Sequence, residues 1–347
     1  MNDSSFPVFR ATVARDGSGD FRTVQSALDS IAALPAGPAV LHVRPGVYRE
    51  KIEITRPGVT LEGEDAETTV ISWNDGANQP WPGGGKCGTF RSYTAYFSGD
   101  GFTAGNLTFE NTAGSGELAG QAVAASVTAD RAAFTGCRFL GRQDTLFTGP
   151  LPPEELLPGG FEGPDRNKPR RPSRQYYQNC LIRGDVDFIF GSAAAVFRRC
   201  RIESLPRENG KYGYLTAAST PQGQPFGYVF LDCVLAGDAE PDTCFLGRPW
   251  RDDAKTVFLR CRMGAHIRPE GFWDWNKPHA RQTVFYAESG CTGPGARRAE
   301  RVPWAKELTP AQAAGYTIKS VLSGTDGWNP EPCEEEAPLR NTEQKSE

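Results

Sequence analysis

The sequence predicts an all-β protein, a parallel β-helix in which one strand pattern returns in successive coils. The first observation is a repeat of the form aromatic-x-x-Cys-x-apolar, found at residues 134–139, 177–182, 197–202, 230–235 and 258–263. The second is the alternation of apolar residues with other residues in each copy, a period of two that is typical of strands. The third is the content of 39 Gly and 27 Pro among 347 residues, which indicates many turns. The unequal distances between copies are typical of a solenoid with loops of different length.

The repeated cysteines are expected to be packing groups inside the coil. Stacked coils place equivalent side chains one above another, and a thiol is a small, soft, apolar group, so burial is favoured over a redox role. An earlier copy at 102–107 has Gly105 where the cysteine would stand. The five cysteines of the repeat are Cys137, Cys180, Cys200, Cys233 and Cys261. The other four, to which no role is assigned, are Cys87, Cys244, Cys291 and Cys333.

The other elements follow in chain order. Apolar residues at 21, 24, 27, 28 and 31 recur at helical spacing, which predicts a helix over 20–31 that caps one end of the coil. Strand-like segments follow at 39–43, 51–54, 59–61 and 69–73, and short helices are expected around 309–315 and 317–322. We predict one domain over 1–330, with the coil at about 36–298, and a disordered acidic and polar tail at 331–347.

One segment, 149–174, interrupts the repeat. It carries seven prolines and has no periodicity, so we expect a long projecting loop, and long loops on rigid scaffolds are often functional. Its basic residues are Arg166, Lys168, Arg170, Arg171 and Arg174.

Composition argues against several classes of function. With 38 Lys+Arg against 42 Asp+Glu the net charge is −4, which gives no general attraction to nucleic acid or anionic lipid. No apolar run approaches the roughly 18 residues of a membrane span. Nine cysteines without a C-x-x-C pair indicate neither a disulfide framework nor a zinc site, and we expect no metal and no cofactor. We expect a monomer, and a cytoplasmic one because no secretory signal is present; a removed leader would make it secreted or periplasmic.

Familiar catalytic motifs are missing from the sequence or out of context. Residues 83–88 match G-x-G-x-x-G, but no strand precedes them and no helical pattern follows, which argues against a dinucleotide site. Neither a P-loop nor a G-x-S-x-G elbow occurs. The histidines, His42, His266 and His279, are too far apart to argue a Ser/Cys–His dyad.

Two aspartates stand at equal offsets from cysteines of the repeat. Asp144 follows Cys137 by seven residues, and Asp187 follows Cys180 by the same number. Equal offsets place side chains on the same face of neighbouring coils, roughly 5 Å apart. Two carboxylates so close cannot both ionise freely, so one must stay protonated or a cation must hold the other charge. The alternative is that each aspartate caps a turn, as Asp often does.

Three further features supply partners for such a pair. Gln121 begins the segment 121–124, a predicted strand that could belong to the preceding coil. Arg248 offers a cation, and Trp250, two residues on, offers a flat aromatic face.

The chain resembles the pectin methylesterases, carbohydrate esterases that remove methyl groups from homogalacturonan. The resemblance covers about 13–304 and rests on five segments in order, 46–50, 121–124, 143–146, 187–191 and 246–250. It implies a right-handed parallel β-helix, in agreement with the cysteine repeat. It also implies a substrate of methylated galacturonan or its oligomers, from which hydrolysis of the C6 methyl ester releases methanol.

The resemblance further implies roles for individual residues. Asp187 would be the nucleophile that forms an acyl-enzyme, and Asp144 the acid and base. Arg248 would orient Asp187 and hold its charge. Gln121 and Gln143 would donate hydrogen bonds to the oxyanion.

Two residues would contact the sugar. Trp250 supplies an apolar face for a ring, and Thr89 matches a substrate-contact position of the family. The loop 149–174 is longer and more basic than in many members, which suggests that its cations attract uronate carboxylates at the rim of the cleft. A solvated loop without such a role remains an alternative.

Three functions stay open from the sequence. Besides the esterase, another polysaccharide hydrolase or lyase could use the same fold, and a catalytically dead carbohydrate-binding or structural solenoid is possible. The two glutamines favour the esterase, since inverting hydrolysis needs acids rather than amide donors.

Overall fold

The protein is a stack of coils in which every named strand pair is parallel. The computed structural model describes residues 8–35, 37–207 and 210–331, so residues 332–347 of the predicted tail and Cys333 lie outside the described residues. Each central coil gives one strand to each of three sheets in turn, which confirms the predicted parallel β-helix.

The three sheets run the length of the stack. Within the described residues, the long sheet consists of β1 (Phe9–Val13), β2 (Ala39–Val43), β5 (Val59–Gly63), β8 (Thr103–Gly105), β11 (Ala132–Thr135), β14 (Arg174–Gln178), β17 (Ala194–Arg198), β20 (Tyr228–Leu231), β23 (Lys255–Leu259), β25 (Phe285–Ser289) and β26 (Lys306–Glu307). The second sheet consists of β3 (Gly46–Arg49), β6 (Thr69–Trp73), β9 (Thr108–Asn111), β12 (Arg138–Leu140), β15 (Leu181–Gly184), β18 (Arg201–Ser204), β21 (Val234–Gly237) and β24 (Arg262–Met263). The third sheet consists of β4 (Ile52–Ile54), β7 (Ala95–Phe97), β10 (Ala125–Val127), β13 (Leu146–Thr148), β16 (Val186–Gly191), β19 (Gly213–Ala218) and β22 (Cys244–Pro249).

The helices are few and short. They are α1 (Val24–Ala32), α2 (Gly116–Ala119), α3 (Pro310–Ala313) and α4 (Ile318–Leu322), with single 3-10 turns at Thr89–Arg91, Pro278–Gln282 and Arg298–Glu300. The predicted N-terminal helix begins later than expected, at Val24, because Thr23 caps it by accepting a hydrogen bond from the Ser26 N–H. In the part of the chain that is described, no helix is long and apolar enough to cross a membrane.

The C-terminal helices cover a sheet face. Thr309 and Thr317 cap α3 and α4, close to the predicted boundaries. Val321 and Leu322 of α4 pack with Val196 and Leu259 on the outer side of the long sheet. The segment thus buries a sheet face that would otherwise be exposed.

The aromatic position of the repeat forms a stacked column inside the coil. Ring centroids of successive members lie 4.6–5.1 Å apart with nearly parallel planes. The column runs through Phe134, Tyr177, Phe197, Phe230 and Phe258. Dispersion and burial of these rings link each coil to the next.

The cysteines occupy the corner between the long sheet and the second sheet, immediately after a residue in the left-handed conformation. Asn179 before Cys180, for example, has φ 53°. The thiol of Cys180 donates to the carbonyl of Phe134 in the coil below, at 3.4 Å. The five cysteines of the repeat are buried, as predicted.

Two details of the predicted repeat are wrong. Cys291, predicted to lie outside the repeat, follows left-handed Gly290, and its thiol donates to the carbonyl of Phe258 as the next member of the ladder. Gly105, aligned with the cysteines in the sequence, pairs with Thr135 in the sheet, so Leu107 occupies the cysteine position. The short copy at 102–107 lacks the cysteine that fixes the register elsewhere.

Candidate active site

A cleft of about 450 Å³ opens beside the third sheet, and all seven predicted site residues line it. They are Thr89, Gln121, Gln143, Asp144, Asp187, Arg248 and Trp250. These residues come from several coils, so parallel stacking brings together side chains that are up to 161 positions apart, the separation of Thr89 and Trp250.

The two aspartates occupy equivalent positions of neighbouring coils. β13 pairs with β16 so that Leu146 lies opposite Ile189. Asp144 and Asp187 each stand two residues before these partners, so they occupy the same position in neighbouring coils. Both adopt the left-handed conformation, with φ 63° and 49°. The pairing of β16 with β19 shifts register between Val186 and Ile189, an irregularity that re-aims the intervening side chains. Strain of this kind concentrates at functional sites.

Arg248 donates two hydrogen bonds to the carboxylate of Asp187. Its Nε donates to Oδ1 at 2.7 Å, and its Nη2 donates to Oδ2 at 2.6 Å. The guanidinium lies between the rings of Tyr214 and Trp275, with its central carbon 3.8 and 3.7 Å from their centroids. Burial opposes the charge of Arg248, but the Asp187 carboxylate outweighs it and raises the pKa of the arginine. The result is a fixed, charged pair of the bidentate type.

Asp144 lies beside this pair without a cation of its own. Burial raises the pKa of Asp144 well above its ordinary value, and the negative charge of Asp187 raises it further. The charge of Arg248 acts in the opposite direction but does not compensate. The site therefore sets a carboxylate bound to a guanidinium beside a carboxyl group of raised pKa, the arrangement expected for an acid next to a nucleophile.

The two glutamines are tied together through their backbones. The Ala122 N–H donates to the carbonyl of Gln143 at 3.0 Å, so the residue after Gln121 is bonded directly to Gln143. The segment 121–124, predicted as a strand, is an extended link that enters β10 at Ala125. Gly116 packs against the Gln143 side chain so closely that a Cβ at Gly116 would stand 2.3 Å from its Oε1.

The floor of the cleft is aromatic. The Trp250 ring lies 6.4 Å from Phe90 in a stacked arrangement and 5.8 Å from Phe190. Thr89 begins the 3-10 turn that carries Phe90. These rings offer a flat apolar surface beside the charged pair.

Sequence reasoning missed several residues that shape the site. Tyr214 and Trp275 clamp Arg248, and Lys277 lines the cleft with its Nζ bonded to the carbonyls of Pro249 and Trp250. No repeat marks these residues. The one signal in the sequence is the aromatic-rich segment 272–277, since aromatic rings often pack against cations.

The basic residues of the loop do not line the cleft, contrary to expectation; residues 149–174 are all described, and none of the five is among the cleft-lining residues. Each is engaged elsewhere. Arg170 donates to the carbonyls of Pro152, Asp165, Arg166 and Lys168, which folds the loop on itself. The others pair with oxygens of Glu162, Tyr96, Asp165, Asp100, Asp130 and Asp326. Local carboxylates and carbonyls thus engage these cations, which argues against a basic rim.

Within 8–35, 37–207 and 210–331, no group of three or more His, Cys, Asp or Glu side chains is arranged to hold a metal ion.

Comparison with known proteins gives a consistent result. A family model described as Pectinesterase matches residues 10–150 and 170–325. Pectinesterase 31 of Arabidopsis thaliana is 35% identical over 317 residues, which are 89% of this chain and 91% of that protein. Probable pectinesterase 8 of the same plant is 34% identical, covering 91% of this chain and 75% of that protein.

Solved structures agree in fold. Pectin methylesterase from carrot matches with a TM-score of 0.77 and 31% identity, covering 91% of this chain and 93% of that chain. The pectin methylesterase of Erwinia chrysanthemi matches with a TM-score of 0.74 and 30% identity, covering 93% and 98%. With the three parallel sheets, these matches confirm the right-handed parallel β-helix. The chain belongs to the pectinesterase family and is a pectinesterase, an enzyme of the carboxylic ester hydrolase class.

Proposed function

We propose that the enzyme hydrolyses the C6 methyl esters of homogalacturonan, as pectin or as methylated oligogalacturonides, and releases methanol. The observation that carries the proposal is Asp187, held by two hydrogen bonds from Arg248, next to Asp144 with its raised pKa in one cleft. A solved pectin methylesterase in complex with a hexasaccharide, 30% identical to this chain, supports an oligosaccharide as the occupant.

In the first half of the reaction, an Asp187 oxygen bonds to the C6 carbonyl carbon. Arg248 bonds to both carboxylate oxygens, so the attacking oxygen is oriented before the reaction and little entropy is lost on reaching the transition state. The carbonyl oxygen becomes an oxyanion, and the side-chain amides of Gln121 and Gln143 donate to it. Removing one such donor typically costs about 2.7–4 kcal/mol of transition-state stabilisation.

Asp144 acts as the general acid and then as the general base. Its raised pKa keeps it protonated, so it gives its proton to the methoxide oxygen as the bond between C6 and that oxygen breaks and methanol leaves. The acyl group is then bound to Asp187 as an anhydride. In the second half, the Asp144 carboxylate takes a proton from water, the water oxygen bonds to C6, and the Asp187 carboxylate departs. Ester and water become acid and methanol, and both aspartates return to their initial states.

The aromatic floor positions the sugar. Trp250, supported by Phe90 and Phe190, offers a face on which a galacturonic ring can lie. Thr89 adds a hydroxyl at the same floor.

Two alternatives use the same fold. A hydrolase of glycosidic bonds needs a carboxylic acid and a carboxylate on opposite sides of the bond, whereas Asp187 is locked by Arg248 beside Asp144 on one face. A binding module without catalysis has no need for an aspartate of raised pKa beside a second aspartate that an arginine holds with two hydrogen bonds. The esterase is the function that uses every charged group of the pair.

The test is to incubate the protein with highly methylated pectin and to follow three products. We expect methanol, measured by oxidation in a coupled assay, without new reducing ends and without unsaturated chain ends. Cleavage of the chain at a rate comparable to methanol release would overturn the proposal, and so would binding without methanol.

A further inference from the structure

The tip of the loop 149–174 presents two leucines to the cleft. Leu156 and Leu157 are 69% and 73% exposed, yet both line the same cleft as the two aspartates. Large exposed apolar side chains next to a binding cleft indicate a contact surface rather than a packing need.

The tip is built to hold this position. The Glu155 carboxylate accepts hydrogen bonds from the N–H groups of Gly159 and Phe161 and so closes the turn that carries the leucines. Arg251, which also lines the cleft, donates to the carbonyl of Glu154 at 2.8 Å. The leucines are thus displayed on a closed turn with its own hydrogen bonds.

The base of the tip is also fixed. Phe161 packs edge-on against Phe90 and Trp250, with centroids 5.8 and 6.2 Å away, and therefore joins the aromatic floor. Glu162 is paired with Arg91, and Asp165 accepts a hydrogen bond from the Tyr96 hydroxyl at 2.6 Å. The loop forms a wall continuous with the floor of the cleft.

The three cations that line the cleft all donate hydrogen bonds within the protein. Arg248 is bound to Asp187, and Arg251 donates to the carbonyls of Trp250 and Glu154. Lys277 donates to the carbonyls of Pro249 and Trp250, and burial lowers its pKa. At the tip itself the side chains that line the cleft are those of two leucines and Phe161, which offer no hydrogen-bond partner to a carboxylate.

From this arrangement we infer that the Leu156–Leu157 tip binds the uncharged methyl-ester group of a galacturonate residue next to the one being hydrolysed. The inference rests on the proposed function. It makes the loop a selector for methylated stretches of the substrate, since a methyl ester gains by burial against leucine whereas a carboxylate loses its hydration there. Each methyl group buried is worth a factor of roughly four in binding.

The segment lies between the two parts of the chain that the family model matches. The family model matches residues up to 150 and again from 170, so both leucines and Phe161 lie outside the match. The two leucines of the cleft wall are therefore not part of the matched ranges.

The test uses the full chain with serine at both positions, Leu156→Ser together with Leu157→Ser. The substrates are two homogalacturonan oligomers of equal length, one fully methylated and one with a single methyl ester. We expect kcat/KM for methanol release from the fully methylated oligomer to fall about tenfold, and that for the singly methylated oligomer to stay within about twofold. Since both leucines are exposed, the change leaves the core intact.

Leu34→Ser is the matched control, an exposed leucine just after the N-terminal capping helix, and we expect it to change neither value. An equal loss on both oligomers, or no loss on either, would overturn the inference while the esterase function stands. If the unaltered enzyme releases no methanol from either oligomer, the proposed function fails first, and the inference fails with it.

Discussion

Asp187 is prepared for its role by neighbours that the chain supplies from three distant places. Arg248 bonds to both of its oxygens, and Tyr214 and Trp275 hold the guanidinium between two rings. A cation between aromatic faces keeps its charge while its position is fixed. At the scale of single residues, the site is an ion pair whose geometry is set by packing.

The aspartates could be predicted from the sequence, but the clamp could not. Equal offsets from Cys137 and Cys180 place Asp144 and Asp187 on one face because the repeat fixes their level in the stack. Trp275 stands in an irregular segment with φ 56°, outside any strand, and only the folded chain brings it to Arg248.

Replacing Asp144 by asparagine should abolish catalysis and stabilise the protein at higher pH. The folded-state pKa of Asp144 is raised by burial and by Asp187, so the folded protein holds this proton more tightly than the unfolded chain does. Its contribution to stability is therefore complete below the unfolded value, about 3.9, and is lost as pH rises through the folded value. The asparagine side chain of the variant does not titrate, so the variant escapes this loss.

The measurement is urea unfolding of the original protein and Asp144→Asn across pH. We expect the advantage of the variant to grow above about pH 4, by up to roughly 1.4 kcal/mol per pH unit, and then to level off. An advantage independent of pH would show that Asp144 is not held protonated.

At the scale of elements, the corner between the long sheet and the second sheet is the most regular feature of the fold. A left-handed residue precedes the cysteine position in each coil from Asn106 to Gly290. The repeat of cysteines reveals these corners, but the predicted register of the 102–107 copy is wrong because leucine replaces the thiol there. The sequence pattern thus marks the repeated cysteine side chain, whereas the left-handed backbone of the corner is present even where the cysteine is not.

Two substitutions at this corner should act in opposite directions. Arg199, exposed and at φ 51°, takes a conformation that costs an ordinary residue about 1 kcal/mol, so Arg199→Gly should raise the free energy of unfolding by up to roughly that amount. Gly136, at φ 61°, occupies the same position, and Gly136→Ala should lower it by about 1 kcal/mol, with its Cβ 2.8 Å from Asn106 Oδ1. Equilibrium urea unfolding measures both, and changes of the same sign would contradict the assignment.

The loop 149–174 shows why an irregular element resists prediction. Its five basic residues suggest a charged rim, but Arg174 bonds to Asp130 and Asp326, and Arg171 pairs with Asp100. Those partners come from other coils and from the C-terminal segment, so no local pattern announces them. The leucines that do face the cleft carry no signal in the sequence that singles them out.

At the scale of the whole molecule, the stacking of repeated coils places residues that are distant in sequence in one cleft. Parallel coils bring Thr89, Asp144, Asp187 and Arg248 to one cleft, although each belongs to a different segment. The net charge of −4 is small because acidic and basic residues are nearly equal in number, and many of them form ion pairs along the stack. The fold follows from repetition and was predictable, whereas cleft shape depends on the interruptions of the repeat.

The most direct measurement of the central claim is methanol release by Asp187→Asn on highly methylated pectin. Asparagine keeps the shape but cannot form the acyl-enzyme, so we expect kcat/KM to fall at least about 10³-fold. Glu203→Gln is the control, because Glu203 also accepts two hydrogen bonds from an arginine, Arg183, but on the second sheet outside the cleft, and its activity should stay within about twofold. Circular dichroism should show both variants folded. A folded Asp187→Asn enzyme with methanol release within tenfold of the original would contradict the account.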